Sequence, residues 1–340
     1  INENCITGNA SDLEKFEAWA KTVPHTLRNP LFHWTHLELK RYFGIDELLN
    51  ENNAKEIFEN TSAQLQQADK SCQGLLSLVN AETVCTTEDP TDTLEYHKTL
   101  NESNFKTKVS TAFRPDKAIL IENEDYNSYI NKLSEVVGFE INSFQNLKDA
   151  LYNRIEVFNA IGCKICDHGL NNISYEEFTD NEINTIFESK RNNQPLNHTQ
   201  IEQFKTALLL FLGETYHQFG WIQQYHLGAL RNNNARMHRI LGPDTGWDSI
   251  GDFKQAANLS KFLNRLDGNN KLTKTIIYNL NPADNEIFAT MIGNFNDGSV
   301  KGKVQFGSSW WFLDQKDGII KQLNALSNMG LISCFIGMLT

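Results

Sequence analysis

Residues 221–234 read WIQQYHLGALRNNN, an apolar run that contains one histidine and ends in an arginine followed by three asparagines. A strand that is buried along its length and opens onto a polar pocket would have this sequence, and so would a strand that ends in a solvated turn. In a pocket, the imidazole of His226 could transfer protons and the guanidinium of Arg231 could bind a carboxylate. Which of the two structures is correct depends on the other strands of the chain.

Polar residues follow several other apolar runs in the same way. They are Arg114 and Asp116 after FKTKVSTAF, Asp167 and His168 after CKIC, Asn281 and Asp284 after TIIYNL, and Trp310 and Trp311 after QFGSS. Each one alone is weak evidence, because strands commonly end in polar turns. In a parallel barrel, however, the C-terminal ends of the strands meet at one face. The recurrence therefore predicts a shared pocket, with Arg114, His168 and His226 converging at one end of the barrel.

Two other spacings suggest metal or redox chemistry less strongly. Cys163 and Cys166 form a CxxC motif, but residues three apart on a strand point to opposite faces, which favours two buried structural thiols. His33 and His36 would share one face of a helix and could bind a metal. Because no third ligand lies nearby in the sequence, an ordinary helix face is favoured.

The elements that position these residues change along the chain. Ser11 and Glu14 form a capping box, and Asn29 before Pro30 marks a second helix start. Residues 1–80 are therefore predicted to be a helical insert region, and residues 81–340 a (β/α) barrel portion. In the second part, amphipathic helices that end near a glycine alternate with short apolar strands.

Seven candidate strands, mostly joined by helices, indicate a parallel sheet. They are ETVCTT, FKTKVSTAF, CKICDH, WIQQYHLGAL, KTIIYNL, VQFGSSWWF and LISCFIGML. A doubly wound dinucleotide-binding fold should contain G-x-G-x-x-G, which this sequence lacks, so a barrel with one strand missing is favoured. If Trp310 and Trp311 lie on a strand, they point in opposite directions, and at most one of them can line a pocket.

Composition excludes several classes of partner. The formal net charge is −11 and no run of Lys or Arg occurs, which argues against binding nucleic acid. No apolar stretch is long enough to predict a membrane span. Six cysteines are too few for a disulfide scaffold in 340 residues, which favours the reducing cytoplasm.

Eight segments, in order along the whole chain, resemble the uronate isomerase family, also called glucuronate isomerase, of the amidohydrolase superfamily. They are TVPHTLRNPLFHWTHLEL, TTEDPTDTLEYH, FRPDKA, DHGL, QQYHLGALRNNN, LGPDTGWDSI, LNPADNEIFATMIGNF and QFGSSWWFLDQKDG. The resemblance implies an α/β fold, a distorted (β/α)8 TIM-like barrel with a helical region inserted after its first strand. It implies interconversion of D-glucuronate and D-fructuronate, and of D-galacturonate and D-tagaturonate, in uronic acid catabolism. It also implies zinc or another divalent metal.

The sequence departs from the family pattern in two places. The family's first strand carries an H-x-H metal pair, and no H-x-H occurs in this sequence. The family also continues past GMLT into a metal-binding aspartate, whereas this sequence stops at Thr340. These departures predict that the chain is an internal fragment that contains strands 2 to 8. Most metal ligands of the family would then be absent, and no residue of this chain is assigned as a metal ligand. The fragment is also predicted to have no activity on its own.

Isomerisation requires removal of a proton from C2, stabilisation of an enediolate and return of a proton to C1. The resemblance and the residue types together lead to one assignment of roles. The predicted catalytic residues are His226, His168 and Arg114, and the predicted substrate-binding residues are Arg231, Asn232 and Trp310. The expected partners are a small uronic acid and, because a missing strand leaves an open sheet edge, further copies of the chain in a homo-oligomer. A metal-dependent hydrolase of the same superfamily and a non-catalytic sugar-acid-binding fragment are the alternatives.

Overall fold

A computed structural model describes residues 1–337, which form two compact units. One unit comprises Ile1–Val84 with Ser103–Lys108, and the other comprises Cys85–Glu102 with the chain from Val109 onward. No helix within residues 1–337 has the length and apolar character needed to cross a membrane.

The first unit is built from four helices. They are α1 (Asp12–Thr22), α2 (Pro30–Phe43), α3 (Ala54–Leu65) and α4 (Cys72–Leu78). The predicted caps are confirmed: Ser11 and Glu14 form the capping box of α1, and the Asn29 side chain accepts the N–H of Leu31 at the start of α2. On α2, both ring nitrogens of His36 are engaged, by the carbonyl of Phe32 and by the N–H of Leu49. His33 and His36 both lie on α2, as their spacing predicted, and the absence of a metal there stays a prediction.

The strands are short and begin near residue 83. They are β1 (Thr83–Glu88), β2 (Lys108–Phe113), β3 (Ile165–Leu170), β4 (Ile222–Leu227), β5 (Ala229–Leu230), β6 (Ser249–Ile250), β7 (Thr275–Asn279) and β8 (Val304–Phe306). Six of them form one sheet in the order β1-β2-β3-β4-β7-β8, and the pairs from β2 to β8 are parallel. The predicted parallel sheet is thus confirmed.

Helices lie between most of the strands along the chain, and the last helix follows β8. They are α5 (Glu95–Asn101), α6 (Asp116–Ile119), α7 (Tyr126–Val137), α8 (Phe144–Ala160), α9 (Asp180–Arg191), α10 (His198–Gln218), α11 (Ala235–Leu241), α12 (Ala256–Gly268), α13 (Asn285–Met291) and α14 (Lys316–Met329). Most bury one apolar face, as the amphipathic spacing predicted.

Three of the predicted strands differ from the structure. WIQQYHLGAL is divided at Gly228, whose φ of 103° turns the chain so that β5 leaves the main sheet and pairs antiparallel with β6. In VQFGSSWWF, only Val304–Phe306 is a strand, and a left-handed Trp311 begins a short 3₁₀ helix. The argument that Trp310 and Trp311 point to opposite faces of a strand was therefore wrong.

LISCFIGML is not a strand in its described part. Residues Ile332–Cys334 form a 3₁₀ helix, and the chain to Gly337 has no regular structure, whereas residues 338–340 lie outside the described residues. Several of its apolar side chains are exposed. Apolar composition was misleading here because a strand also needs a paired neighbour, and within residues 331–337 no strand pairing occurs.

The two cysteines of the CxxC motif are buried, free thiols. Burial raises the pKa of Cys163 to about 12 and the pKa of Cys166 well above its ordinary value. Both thiols therefore stay protonated near neutral pH, as expected for structural cysteines.

An aromatic cluster joins the sheet to the helices that cover it. The fully buried ring of Phe113, at the end of β2, makes edge contacts with Phe158 of α8 at 5.0 Å and with Tyr216 of α10 at 6.4 Å between centroids. It also contacts Trp221 at 6.0 Å. This packing fixes the C-terminal end of β2, directly before Arg114.

We expect Phe113→Ala to lower the free energy of unfolding by about 3–5 kcal/mol, because it leaves a cavity in this cluster. Thermal unfolding followed by circular dichroism would measure the loss. Phe139→Ala, at an exposed position, is the matched control and should change stability little. Equal melting temperatures for the two variants would show that the Phe113 cluster does not stabilise the fold.

Candidate active site

The C-terminal ends of three adjacent strands bring together an aspartate, a histidine and an arginine. Asp167 lies on β3, His226 lies on the neighbouring β4, and Arg114 follows β2 directly. In the register of β3 and β4, Gly169 pairs with His226. The side chains of Asp167 and His226 therefore point to the same face of the sheet, two positions apart along the strands.

The carboxylate of Asp167 connects the other two residues. Its Oδ1 lies 2.7 Å from Nδ1 of His226, its Oδ2 lies 3.3 Å from an Nη of Arg114, and only 7% of the side chain is exposed. Burial by itself raises the pKa of Asp167. The hydrogen bond from His226 and the positive charges of His226 and Arg114 outweigh that effect, so the pKa is lowered overall.

The ionised state of Asp167 determines which ring nitrogen of His226 carries the hydrogen. An ionised carboxylate only accepts hydrogen bonds, so the hydrogen between the two residues belongs to Nδ1 of His226. In the neutral imidazole, Nε2 then carries the lone pair. His226 thus has one nitrogen held by the protein and one suited to accept a proton.

A second carboxylate, Asp116 of α6, fixes Arg114 from the other side. Its Oδ2 accepts hydrogen bonds from Nε of Arg114 and from the backbone N–H of Gly169, both at 2.9 Å. Burial lowers the pKa of Arg114, but the charges of Asp116 and Asp167 outweigh this and raise it, which keeps the guanidinium charged. A Cβ on Gly169 would lie 2.1 Å from Nη2 of Arg114, so only glycine admits the guanidinium here.

His168 does not enter the same cavity. It follows Asp167 on β3, so its ring points to the opposite face of the sheet, where it is fully buried, stacks on Tyr225 and lies 3.2 Å from the hydroxyl of Tyr216. Its Nδ1 lies 3.3 Å from Oδ1 of Asp116. The structure thus brings Arg114 and His226 together and links His168 to them only through Asp116.

Aromatic rings form the walls around His226. Its imidazole stacks on Tyr278 with 4.2 Å between centroids and meets Trp310 edge-on at 4.7 Å. The indole N–H of Trp310 is buried and has no hydrogen-bond partner among the described residues. A cavity of about 320 Å³ lies beside these rings, and it is lined by Arg114, Asp167, His226, Arg231, Trp310 and Trp311.

Arg231 and Asn232 form the rim on the β5–β6 side. The guanidinium of Arg231 lies over the ring of Trp311, 5.1 Å from its centroid, and an Nη donates to Asp244 at 2.9 Å. Asn232 is left-handed, with φ of 55°, and its backbone N–H donates to Asp248 at 2.7 Å. Arg231 therefore faces the cavity, whereas Asn232 supports the rim without lining the cavity.

Asp116, Asp167 and Trp311 follow strands in the sequence, but their types and spacing alone predicted no role for them. Their closeness in sequence to Arg114, His168 and Trp310 is the one signal that pointed to them. For Asp167 and His168, strand alternation applied to β3 could have separated the cavity-facing residue from the helix-facing residue.

Within residues 1–337, no group of three or more His, Cys, Asp or Glu side chains is placed to hold a metal ion. Asp167, the carboxylate in the cavity, already accepts from His226 and pairs with Arg114. The described residues alone therefore do not fit a divalent metal.

A parallel sheet with Arg114, Asp167 and His226 at the C-terminal ends of its strands is typical of an enzyme of the α/β barrel class. Comparison with known proteins identifies the family. The model of the glucuronate isomerase family matches residues 1–340, and the chain belongs to this family of isomerases.

Individual relatives agree with this membership. The uronate isomerase of Flavobacterium johnsoniae is 65% identical, and that of Phocaeicola vulgatus 52% identical; each alignment covers 100% of this chain and 73% of the relative. The structure of a uronate isomerase from Thermotoga maritima superposes with a TM-score of 0.94 at 32% identity, covering 100% of this chain and 73% of that one. The predicted TIM-like barrel class and the predicted isomerase family are confirmed.

A glucuronate isomerase from Caulobacter crescentus shares the same fold. It superposes with a TM-score of 0.90 at 24% identity, over 97% of this chain and 67% of that one.

We expect Asp167→Asn to destabilise the protein by about 1.5–3 kcal/mol at neutral pH, the usual contribution of a hydrogen bond to a charged group. Because the folded-state pKa of Asp167 is lowered, its stabilising contribution is complete above the ordinary pKa of 3.8 and is lost as pH falls through the lowered value. The difference in melting temperature between wild type and variant should therefore shrink below about pH 4.

Melting temperatures measured from pH 7 to pH 3 would test this expectation. Asp149→Asn, at an exposed position on α8 that does not line the cavity, is the control for the general effect of removing one carboxylate. A difference for Asp167→Asn that stays constant, or grows, toward acid pH would contradict the lowered pKa.

Proposed function

We propose that the enzyme containing this chain interconverts D-glucuronate and D-fructuronate, and D-galacturonate and D-tagaturonate, with the substrate bound in the cavity between His226, Arg114 and Arg231. The observation that carries the proposal is that His226, held at Nδ1 by Asp167, shares one small cavity with two guanidinium groups. Family membership favours isomerisation over hydrolysis and over simple binding.

The reaction moves hydrogen within one molecule. A proton leaves C2 of the open-chain aldose, an enediolate forms, a proton returns to C1, and the hydroxyl proton shifts from O2 to O1, so that composition is unchanged. In the proposal, Nε2 of His226 accepts and returns a proton in this sequence. Asp167 holds the hydrogen of the neutral ring on Nδ1 and stabilises the imidazolium that forms, as a positioned acid–base pair requires.

The two arginines take different parts in this proposal. Arg114 is fixed by Asp116 and Asp167 beside His226, so its charge is preorganised to stabilise the enediolate where it develops. Arg231 is at the rim and binds the substrate carboxylate, for which a guanidinium is the best geometric match. The unpartnered indole N–H of Trp310 donates to a substrate oxygen.

His168 and Asn232 act indirectly. His168 positions Asp116 from the helix-facing side of β3, and Asn232 holds the rim through Asp248. The family is amidohydrolase-like, and the zinc or other divalent metal expected from the resemblance stays a prediction.

We also infer that the chain forms homo-oligomers and acts in the cytoplasm. Within the described residues, β1 and β8 each have one neighbour in the sheet, and open edges favour pairing with another chain. The six cysteines are free thiols, which suits a reducing compartment. Light scattering of the purified protein would contradict the first inference if it gave the mass of one chain.

We expect His226→Gln to lower turnover about a hundredfold or more, since a positioned acid–base group typically contributes this much. We expect Arg231→Ala chiefly to raise KM, because it removes the cation for the substrate carboxylate. Incubation with D-glucuronate in heavy water, followed by NMR, would measure both ketose formation and deuterium incorporation.

Two exposed residues provide matched controls. His198→Gln and Arg239→Ala remove the same side-chain types from helix surfaces and should leave both constants unchanged. Unaltered turnover in His226→Gln, or the absence of ketose from both D-glucuronate and D-galacturonate with the unmodified enzyme, would refute the proposed function.

A further inference from the structure

Arg231 has two carboxylate partners that differ sharply in their environment. Oδ1 of Asp244 lies 2.9 Å from an Nη of Arg231, and the Asp244 side chain is 68% exposed. Oδ2 of Asp248 lies 3.9 Å from the same nitrogen, and the Asp248 side chain is only 4% exposed. The shorter ion pair is therefore made by the carboxylate that is free to exchange with water.

Asp248 is tied into the rim, whereas Asp244 is not. Asp248 also accepts the backbone N–H of Asn232 at 2.7 Å, which fixes its position. The backbone of Asp244 is held by a longer hydrogen bond, 3.3 Å, to the side chain of Asn232. Asp244 lies in the exposed segment 243–246, between Gly242 and Gly246, which both have positive φ.

The charge of Asp244 reaches the interior of the cavity. Besides pairing with Arg231, it raises the pKa of Arg114, although its effect is smaller than those of burial, Asp116 and Asp167. Arg114 and Arg231 both line the cavity. The Asp244 carboxylate thus acts on both cations that a substrate carboxylate would meet.

We propose that Asp244 occupies the place on Arg231 that the substrate carboxylate takes, so that the two carboxylates compete and Asp244 determines how strongly the site selects anionic sugars. This inference rests on the proposed role of Arg231. An incoming uronate replaces one carboxylate on the guanidinium by another, and Asp244 moves out to water. A neutral sugar offers nothing to replace the lost ion pair and does not displace Asp244.

Physical magnitudes make such an exchange feasible. An exposed ion pair contributes about 0–1 kcal/mol because water and salt screen it. Two carboxylates on one guanidinium also repel each other, so Asp244 disfavours binding of the anion for as long as it stays. The opposite role, a brace that orients Arg231 for substrate, predicts the opposite effect of removing the charge.

The test compares Asp244→Asn with Asp248→Asn, two isosteric changes on the same arginine. Binding is measured by calorimetry with L-gulonate, the linear sugar acid that lacks the C1 aldehyde of D-glucuronate and therefore cannot isomerise. Asp244→Asn should lower the Kd for L-gulonate about two- to fivefold. This factor is the free energy of an exposed ion pair converted to a ratio of dissociation constants. Asp248→Asn should raise the Kd, since it removes the fixed support of the rim.

Sorbitol is the neutral control, because it differs from L-gulonate only in carrying a hydroxymethyl group in place of the carboxylate. Its weak binding should be the same in Asp244→Asn as in the unmodified enzyme. A misfolded variant cannot bind more tightly, so the expected gain is not confused with damage. Asp244→Ala, a second variant without the charge, should also bind L-gulonate more tightly.

An unchanged or raised Kd for L-gulonate in both Asp244 variants would overturn the inference. An equal fall in the Kd for sorbitol would also overturn the inference, because it would show that Asp244 does not compete with the carboxylate of the ligand. Arg231→Ala separates the two proposals. If it weakens L-gulonate binding and the Asp244 variants do not tighten it, only the competition fails; if it leaves binding unchanged, the proposed role of Arg231 fails.

Discussion

The site depends on compensating one buried negative charge, that of Asp167. A carboxylate with 7% of its side chain exposed loses most of its hydration, and a buried charge is tolerated only when it is paired and hydrogen-bonded. Arg114 from the end of β2 and His226 from β4 supply that pairing, one from each neighbouring strand of β3. The order of the three strands therefore explains why these side chains meet, and the pairing explains why their orientation is fixed before any substrate arrives.

Successive side chains of β3 point to opposite faces of the sheet, and the two faces have different roles. Asp167 faces the cavity, and His168, the next residue, faces the helices, where Tyr216 and Tyr225 enclose it. Asp116 links the two sides, since it accepts from Arg114 and lies beside His168. At the rim, the arginine and its carboxylate partner are more exposed to water. Arg231 is partly exposed and pairs with an exposed aspartate, which suits a group that must exchange partners, whereas Arg114 is held by two fixed carboxylates.

Sequence patterns predicted much of this arrangement because they report local preferences. The caps at Ser11 and Asn29, the parallel sheet and the position of Arg114 and His226 at strand ends all follow from short-range rules. Partners across strands do not, so the roles of Asp116 and Asp167 were missed. The φ values at Gly228 and Trp311, which redirect the chain and bring Trp311 to the cavity, depend on tertiary contacts. Residues 331–337 show the same limit, since an apolar run becomes a strand only where a neighbour pairs with it.

Asp167 holds neutral His226 with its hydrogen on Nδ1 and its lone pair on Nε2, which is then ready to accept a proton in the cavity. Nitrogen NMR of the protein with ¹⁵N-labelled histidine reads the tautomer of each ring directly, and comparison with His226→Gln assigns the signals. We expect neutral His226 to be protonated at Nδ1, and we expect Asp167→Asn to change the tautomer or to make it mixed. Neutral His226 protonated at Nε2 in the unmodified protein would contradict it.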